Sequence, residues 1–399
     1  MQGSKYITLL GATGSIGTST LDVIRNNPKS FRLFAATAFT RVENLYAIAM
    51  EFFPEMLVVS DEHGKQQLTE MLLRQDKYKP TILAGEQGLS VVASHESADT
   101  VVSAIVGGAG LVPTMDAIKA SKCVLLANKE SLVMSGDIFM RAVEKHNATL
   151  IPVDSEHNAI FQALPSNYSR NYPEKFGVSH LLLTASGGPF RTLPIEQLSA
   201  VTPAQACAHP NWDMGRKISV DSASMMNKGL EFIEAFWLFG IAPDRIKVVI
   251  HPQSIVHSMV QYIDGSVIAQ LGNPDMRTPI AHALAFPSRI PSGVSELNVF
   301  EMNDLSFSSP CETRFPNLYL AIEACKRGQA ATTALNAANE VAVDAFLNEQ
   351  IQFLDIYKVN KAVTDHFSSN QLETIKEVLN HDQRCRDMAK TAIQQIQND

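Results

Sequence analysis

From Tyr6 to Val153 the chain alternates short apolar runs with stretches of helical periodicity, and few folds accept that alternation. Tyr6–Leu10, Arg32–Thr37, Met56–Val59, Thr100–Ala104, Lys122–Ala127 and Thr149–Val153 read as strands. Thr18–Asn26, Gln66–Arg74 and Pro113–Ala120 read as helices between them. Near-continuous apolar strands are buried on both faces, and a helix between strands is the crossover that parallel pairing needs. The predicted class is therefore α/β, with a parallel sheet covered by helices.

The turn after the first strand narrows this further. Gly11-Ala12-Thr13-Gly14-Ser15-Ile16-Gly17 follows an apolar strand and opens a helix. Glycines there permit a tight turn and close approach of a pyrophosphate to helix-start amides, whose partial positive charge favours an anion. The spacing is GxxGxxG, a weaker fingerprint than GxGxxG, and its alternative is a plain strand-to-helix turn. Its position points to a Rossmann-like dinucleotide-binding domain over residues 1–153. A binder of the ribose 2'-hydroxyl usually ends its second strand in Asp or Glu about 20 residues beyond the glycines. Here the segment is Ala38-Phe39-Thr40-Arg41, with no acid before Glu43. A guanidinium suits a 2'-phosphate, so NADPH is expected over NADH. Arg41 equally fits a solvated residue at a helix start.

The chain of 399 residues exceeds one compact core. Residues 154–285 read as a central α/β domain for substrate and metal. It has strands at His180–Thr184, Lys247–Ile250, Ser254–Tyr262 and Ser266–Leu271, and a helix at Asn227–Phe239. Within it, residues 207–216 combine His209, Trp212 and Met214 with Pro210 and Gly215, a composition suited to a mobile loop that closes over substrate. Residues 286–312, rich in proline, read as a linker. Residues 313–399 read as a small C-terminal helical domain, with helices at Asn317–Gly328, Thr332–Asn348, Asp355–Phe367 and Gln371–Ile396.

Two polar constellations carry chemistry. Asp154 and Glu156 stand two apart after the last N-terminal strand, so an extended backbone would point both to one side. Glu231 lies on a helix with Asn227 and Lys228 on adjoining faces, and Glu234 is one turn on. Three carboxylates suit Mg²⁺ or Mn²⁺, hard ions that keep positions open for substrate; ordinary surface acids are the alternative. Ser186-Gly187-Gly188, Ser222, Asn227 and Lys228 supply what a phosphate monoester needs, small donors and one ammonium. Ser222 or Ser224 would serve equally as a helix cap.

Composition excludes more than it selects. A formal charge of -8 argues against a nucleic-acid partner, whose phosphates need clustered Lys and Arg. Five scattered cysteines with no CxxC pair suggest reduced thiols in a cytoplasmic protein. No apolar run approaches the roughly 18 residues of a membrane span.

Several of these segments, taken in order, resemble the signatures of the 1-deoxy-D-xylulose 5-phosphate reductoisomerase family over roughly residues 6 to 350. They include the glycine loop, Leu126-Ala127-Asn128-Lys129-Glu130-Ser131-Leu132, the run Pro152 to Gln162, and Ser186-Gly187-Gly188-Pro189-Phe190. His209-Pro210-Asn211-Trp212-Asp213-Met214-Gly215, the run Lys217 to Glu231, Leu271 to Arg277 and Ala330 to Glu340 continue the series. The resemblance implies that Thr13, Gly14, Ser15, Ile16, Asn128, Glu130 and Gly215 touch NADPH. It implies that Asp154, Glu156 and Glu231 hold Mg²⁺, Mn²⁺ or Co²⁺. Lys129, Ser155 and His209 would contact the reacting end of a phosphorylated sugar, with Trp212 stacked over it. Ser186, Ser222, Asn227 and Lys228 would hold its phosphate. Phe39-Thr40-Arg41 departs from the Gly- or Lys/Arg-Asn-like segment of many members, so contacts to the adenosine phosphate transfer least securely.

The implied reaction converts 1-deoxy-D-xylulose 5-phosphate to 2-C-methyl-D-erythritol 4-phosphate, in isoprenoid precursor biosynthesis, by a rearrangement read as retro-aldol cleavage and re-addition followed by reduction. A homodimer is implied by the family alone. Two other readings remain: a plain NADP-dependent reductase of a phosphorylated aldehyde, which needs no metal, and a non-catalytic NADPH sensor, which would carry a broken acidic or phosphate set.

Overall fold

The computed structural model describes residues 4–398 apart from 74, 76, 209–214, 303 and 368–370. The chain begins with β1 (Lys5–Leu10), α1 (Ser15–Asn26), β2 (Phe31–Thr37), α2 (Val42–Phe52) and β3 (Met56–Val59). It continues through α3 (Glu62–Leu72), β4 (Thr81–Ala84), α4 (Gly85–Ser94), β5 (Thr100–Ser103) and α5 (Leu111–Lys119). Then come β6 (Cys123–Leu126), α6 (Lys129–Lys145), β7 (Thr149–Pro152) and α7 (Ser155–Ala163). Two compact units result, the first from Met1–Ser131, Phe139–Asn158 and Asp275–Ser295, the second from Leu132–Ile138, Ala159–Pro274 and Glu296–Asp399.

The first unit holds a seven-stranded, wholly parallel sheet in the order β4-β3-β2-β1-β5-β6-β7. Its central strands are apolar on both faces: Ile7, Leu9, Leu10, Val101, Val102, Val124 and Leu125 are buried. That is why they read as continuous runs rather than alternating ones. The strand order reverses direction between β1 and β5, and the crevice at such a switch point is where open α/β sheets bind ligands.

The second unit contains β8 (Val178–Ala185), α8 (Pro203–Cys207), α9 (Arg216–Ala223), α10 (Met226–Phe239), β9 (Ile246–Ile250), β10 (Val256–Tyr262) and β11 (Val267–Leu271). Its four-stranded mixed sheet has the order β11-β10-β8-β9, with only β8 and β9 parallel. After α11 (Arg277–Ala285), which packs on α1 in the first unit, come α12 (Pro316–Arg327), α13 (Gln329–Leu347), α14 (Asp355–Asp365) and α15 (Ile375–Asn398). Fifteen of the 19 residues of α13 are buried, so this helix is enclosed all round, and its alanines let α14 and α15 approach closely. Phe190, Val220, Ala338, Ala342, Phe346, Phe353, Val359 and Ile393 share one core there.

The structure corrects some local expectations. Asp154 and Glu156 are not on extended backbone, because α7 begins at Ser155. The Asp154 carbonyl accepts from the Asn158 N–H at 2.8 Å and its Oδ1 from the Glu156 N–H at 3.3 Å, the behaviour of an N-cap. The helix α6 escaped the sequence because Ser135, at φ -137° and ψ 25°, interrupts it. The groups this kink releases are met from α13: Thr332 and Thr333 hydroxyls each donate at 2.8 Å, to the Val133 and Met134 carbonyls, and Gln329 Oε1 accepts from the Asp137 N–H at 3.3 Å. Replacement of lost helical bonds by side chains is the usual way such a break is tolerated. Within residues 286–312, read as a linker, the Pro291 carbonyl accepts from the Asn27 amide at 2.9 Å.

Candidate active site

The glycine loop is fixed from beneath by the end of β2. The Gly11 N–H donates to Thr37 Oγ1 and the Ala12 N–H to the Thr37 carbonyl, each at 2.8 Å. Gly11 has φ +85°, and a methyl group there would lie 2.7 Å from the Ala104 carbonyl oxygen at the end of β5. A methyl at Gly17 would meet backbone too, 2.5 Å from the Ala12 carbonyl. Gly14 differs: its nearest neighbour would be 3.5 Å away, and Gly14 and Ser15 are exposed at the start of α1. Two glycines thus shape the loop, while the third leaves its outer face open over a helix N-terminus that bears no acidic residue.

Arg41 stands just before α2 and reaches the same loop, its Nη1 donating to the Thr13 carbonyl at 3.0 Å. Phe39, Thr40 and Arg41 are all exposed. On the other side of the switch point, Asn128 is buried and its side chain is committed. Its amide donates to the Ile105 and Gly107 carbonyls, and its Oδ1 accepts from the Ser131 N–H at 2.9 Å. What the Asn128 side chain determines is the course of the Ile105–Gly110 loop. Glu130, two residues on, is buried in the first turn of α6.

At the carboxyl end of β7 the acids are already organised. Lys129 Nζ pairs with Asp154 Oδ2 at 2.7 Å, both side chains 13% exposed, enough to meet a ligand. The Ser155 hydroxyl donates to Glu156 Oε2 at 2.5 Å, and His157 Nδ1 stands 3.5 Å from Asp154 Oδ1. Two carboxylates one short turn apart, with an ammonium on one, form an all-oxygen donor set held in place by short bonds.

The second unit carries the other polar set. In α10 the Asn227 amide donates to Glu231 Oε1 at 2.5 Å, and the Lys228 ammonium pairs with Glu231 Oε2. Helical spacing predicted these neighbours. Lys228, Glu231 and Glu234 are all buried. The Ser186-Gly187-Gly188 loop after β8 lies on the C-terminal end of α9. Gly188, at φ +69°, is needed because a methyl there would lie 2.6 Å from the Ser222 carbonyl oxygen. Ser186 and Ser222 are thereby brought into adjoining turns, and Met225, in the left-handed region at φ 59°, turns the chain into α10. The His257 imidazole is buried, and burial pushes its pKa down to about 4, offset in part by hydrogen bonding with the Asn273 and Gly272 backbone and reinforced by the Lys228 charge. It is neutral at pH 7.

His209 and Trp212 lie outside the described residues. Gly215 is described: it precedes α9, is exposed, and has nothing within 4 Å of where a methyl would sit. Sequence reasoning missed the supporting roles of Thr37, of the Asn128 side chain and of Gly188, since a buried hydroxyl, an amide or a glycine shows no partner until the fold supplies one.

Comparison with known proteins extends these observations along the whole chain. A family model described as 1-deoxy-D-xylulose 5-phosphate reductoisomerase matches residues 7–136, and the C-terminal domain models of the same enzyme match 150–239 and 271–388. The reductoisomerase of Colwellia psychrerythraea is 56% identical over 98% of this chain and 96% of its own. That of Ectopseudomonas mendocina is 55% identical over 98% of each. A crystal structure of DOX-P reductoisomerase in complex with NADPH, fosmidomycin and magnesium superimposes with a TM-score of 0.94 at 46% identity, covering 98% of both chains. The Zymomonas mobilis enzyme in complex with NADPH gives 0.90 at 43%, covering 98% of this chain and 99% of that one. The chain belongs to the 1-deoxy-D-xylulose 5-phosphate reductoisomerase family.

Proposed function

We propose that this protein converts 1-deoxy-D-xylulose 5-phosphate to 2-C-methyl-D-erythritol 4-phosphate with NADPH and a divalent cation, using the residues assigned above. Family membership along 98% of the chain carries the reading, since every segment that bears candidate chemistry falls within the matched length. The donor chemistry fits both groups. The open face of Gly14 at a helix start suits a pyrophosphate, and carboxylates with an adjacent ammonium suit a hard cation that also meets an anionic substrate. NADPH, when bound, supplies the hydride, and Mg²⁺ or Mn²⁺, when bound, acts as a Lewis acid toward the carbonyl and neighbouring hydroxyl oxygens.

Residues 1–153 are read as the cofactor domain, with Thr13, Gly14, Ser15, Ile16, Arg41, Asn128, Glu130 and Gly215 around NADPH. Residues 154–285 are read as the catalytic domain, supported by the helical residues 313–399. Asp154, Glu156 and Glu231 are assigned to the metal. Lys129, held by Asp154, presents an ammonium where negative charge develops on the substrate oxygens. Ser155 and His209 orient the reacting end, and Trp212 covers it. Ser186, Ser222, Asn227 and Lys228 hold the phosphate, so binding energy far from the reacting carbons fixes their geometry.

Turnover should disappear when a chelator strips the protein of divalent ions and return on adding Mg²⁺. Turnover that survives chelation would favour the plain reductase. Replacing Arg41 with Ala is expected to lower the preference for NADPH over NADH by about tenfold, roughly 1.4 kcal/mol. An unchanged ratio of kcat/KM values would remove Arg41 from the adenosine end.

We also read the protein as a cytoplasmic homodimer. No helix among the described residues is long and apolar enough to cross a membrane, and all five cysteines are free. The strand β11 is a sheet edge whose Val267, Ile268 and Leu271 are exposed, an edge that a second copy would cover. Light scattering should give twice 43.7 kDa; a single-chain mass would contradict the dimer.

A further inference from the structure

Four polar side chains from four helices meet inside the second unit, none of them given a role above. They are Asp221 on α9, Asn339 on α13, Asn360 on α14 and Asn317 on α12, and each is at most 4% exposed. The Asn339 amide donates to Asp221 Oδ1 at 2.7 Å. Asn339 Oδ1 accepts from the Asn360 amide at 3.1 Å, and Asn360 donates also to Asn317 Oδ1 at 3.0 Å. Lys217, one turn before Asp221, pairs with its other oxygen at 3.1 Å.

Three of these helices, α9, α13 and α14, also share an apolar core through Val220, Ala223, Ala338, Ala342 and Val359. Apolar groups would close that space at less desolvation cost, but apolar contact leaves a short helix able to slide or rotate. Directional bonds to a buried carboxylate define one setting. The helix so fixed is the one that delivers Ser222. Asp221 is its chain neighbour, the Ser222 carbonyl is the surface against which Gly188 and the Ser186 loop rest, and Met225 then turns the chain to Asn227 and Lys228.

We propose that Asp221, Asn339 and Asn360 are positioning residues that set the geometry of the substrate-phosphate grip. The proposal rests on the reading of Ser186, Ser222, Asn227 and Lys228 as phosphate ligands.

The test uses the full chain with Asn339→Leu, Asp221→Asn, and the exchange Asp221→Asn with Asn339→Asp, which swaps acceptor and donor across the same bond. Four quantities are read: KM for 1-deoxy-D-xylulose 5-phosphate, competitive inhibition by inorganic phosphate, the Kd for NADPH, and Tm. In N339L, KM and the phosphate inhibition constant should both rise about tenfold or more, with the NADPH Kd within twofold. The exchange should recover most of the loss. Should N339L not fold, D221N carries the same test with a smaller expected rise. Phosphate inhibition and KM unchanged in the folded variant, or a loss shared equally by NADPH binding and not recovered by the exchange, overturns the proposal. Wild-type protein that phosphate does not inhibit competitively would instead overturn the phosphate reading beneath it.

Discussion

Replacing Glu231 with Gln is expected to lower turnover by about 10³-fold, roughly 4 kcal/mol of transition-state stabilisation, while leaving the NADPH Kd within twofold. Gln preserves the shape and an oxygen for Asn227 but removes the charge assigned to the metal. The same change leaves the Lys228 ammonium, 3% exposed, without the carboxylate it pairs with. Removing one member of a buried pair weakens the fold, so a lower Tm should accompany the loss of activity. Glu231→Lys should be harsher, because it sets two ammonium groups side by side. The check is steady-state kinetics across a Mg²⁺ titration. Wild-type turnover with an unchanged Mg²⁺ half-saturation would remove Glu231 from the metal site.

The second large effect separates glycines that look alike in sequence. Gly17→Ala places a methyl 2.5 Å from the Ala12 carbonyl, inside the turn itself, so the loop must shift. Its NADPH Kd should rise about 100-fold, close to 3 kcal/mol, with a clear loss of Tm. Gly14→Ala meets nothing closer than 3.5 Å within the protein, so its Tm should stay near that of the wild type. NADPH binding should still weaken, because the methyl occupies the face where a pyrophosphate would approach the helix amides. Calorimetric binding and thermal melts on both variants decide the point. Equal affinities for wild type and G14A would move the cofactor off that face.

Much of the fold was legible because its signals are local. The strands β1, β2, β3, β5, β6 and β7 are short apolar runs fixed by burial on both sides, and the turn at Gly11 to Gly17 is punctuated by residues few other conformations need. The pairing of Asn227 and Lys228 with Glu231 follows from helical spacing alone. What stayed hidden depends on partners distant in sequence. The helix α6 could not be read through Ser135, because the groups that repair its break come from Thr332 and Thr333, some 199 residues on. Asp154 and Glu156 looked extended because they follow a strand, whereas the Asp154 carboxylate starts a helix. The strand β4 and helix α4, bounded by polar and small residues, carry weak periodicity and take their place from pairing with β3. The bond between Asp221 and Asn339 spans 118 residues and leaves no mark in either local pattern.

The most direct test supplies purified protein with 1-deoxy-D-xylulose 5-phosphate, NADPH and Mg²⁺ and identifies the product by mass and NMR. The account predicts oxidation of NADPH coupled to formation of a branched carbon skeleton, 2-C-methyl-D-erythritol 4-phosphate. An unbranched polyol phosphate, or no oxidation by folded protein that binds NADPH, would contradict it.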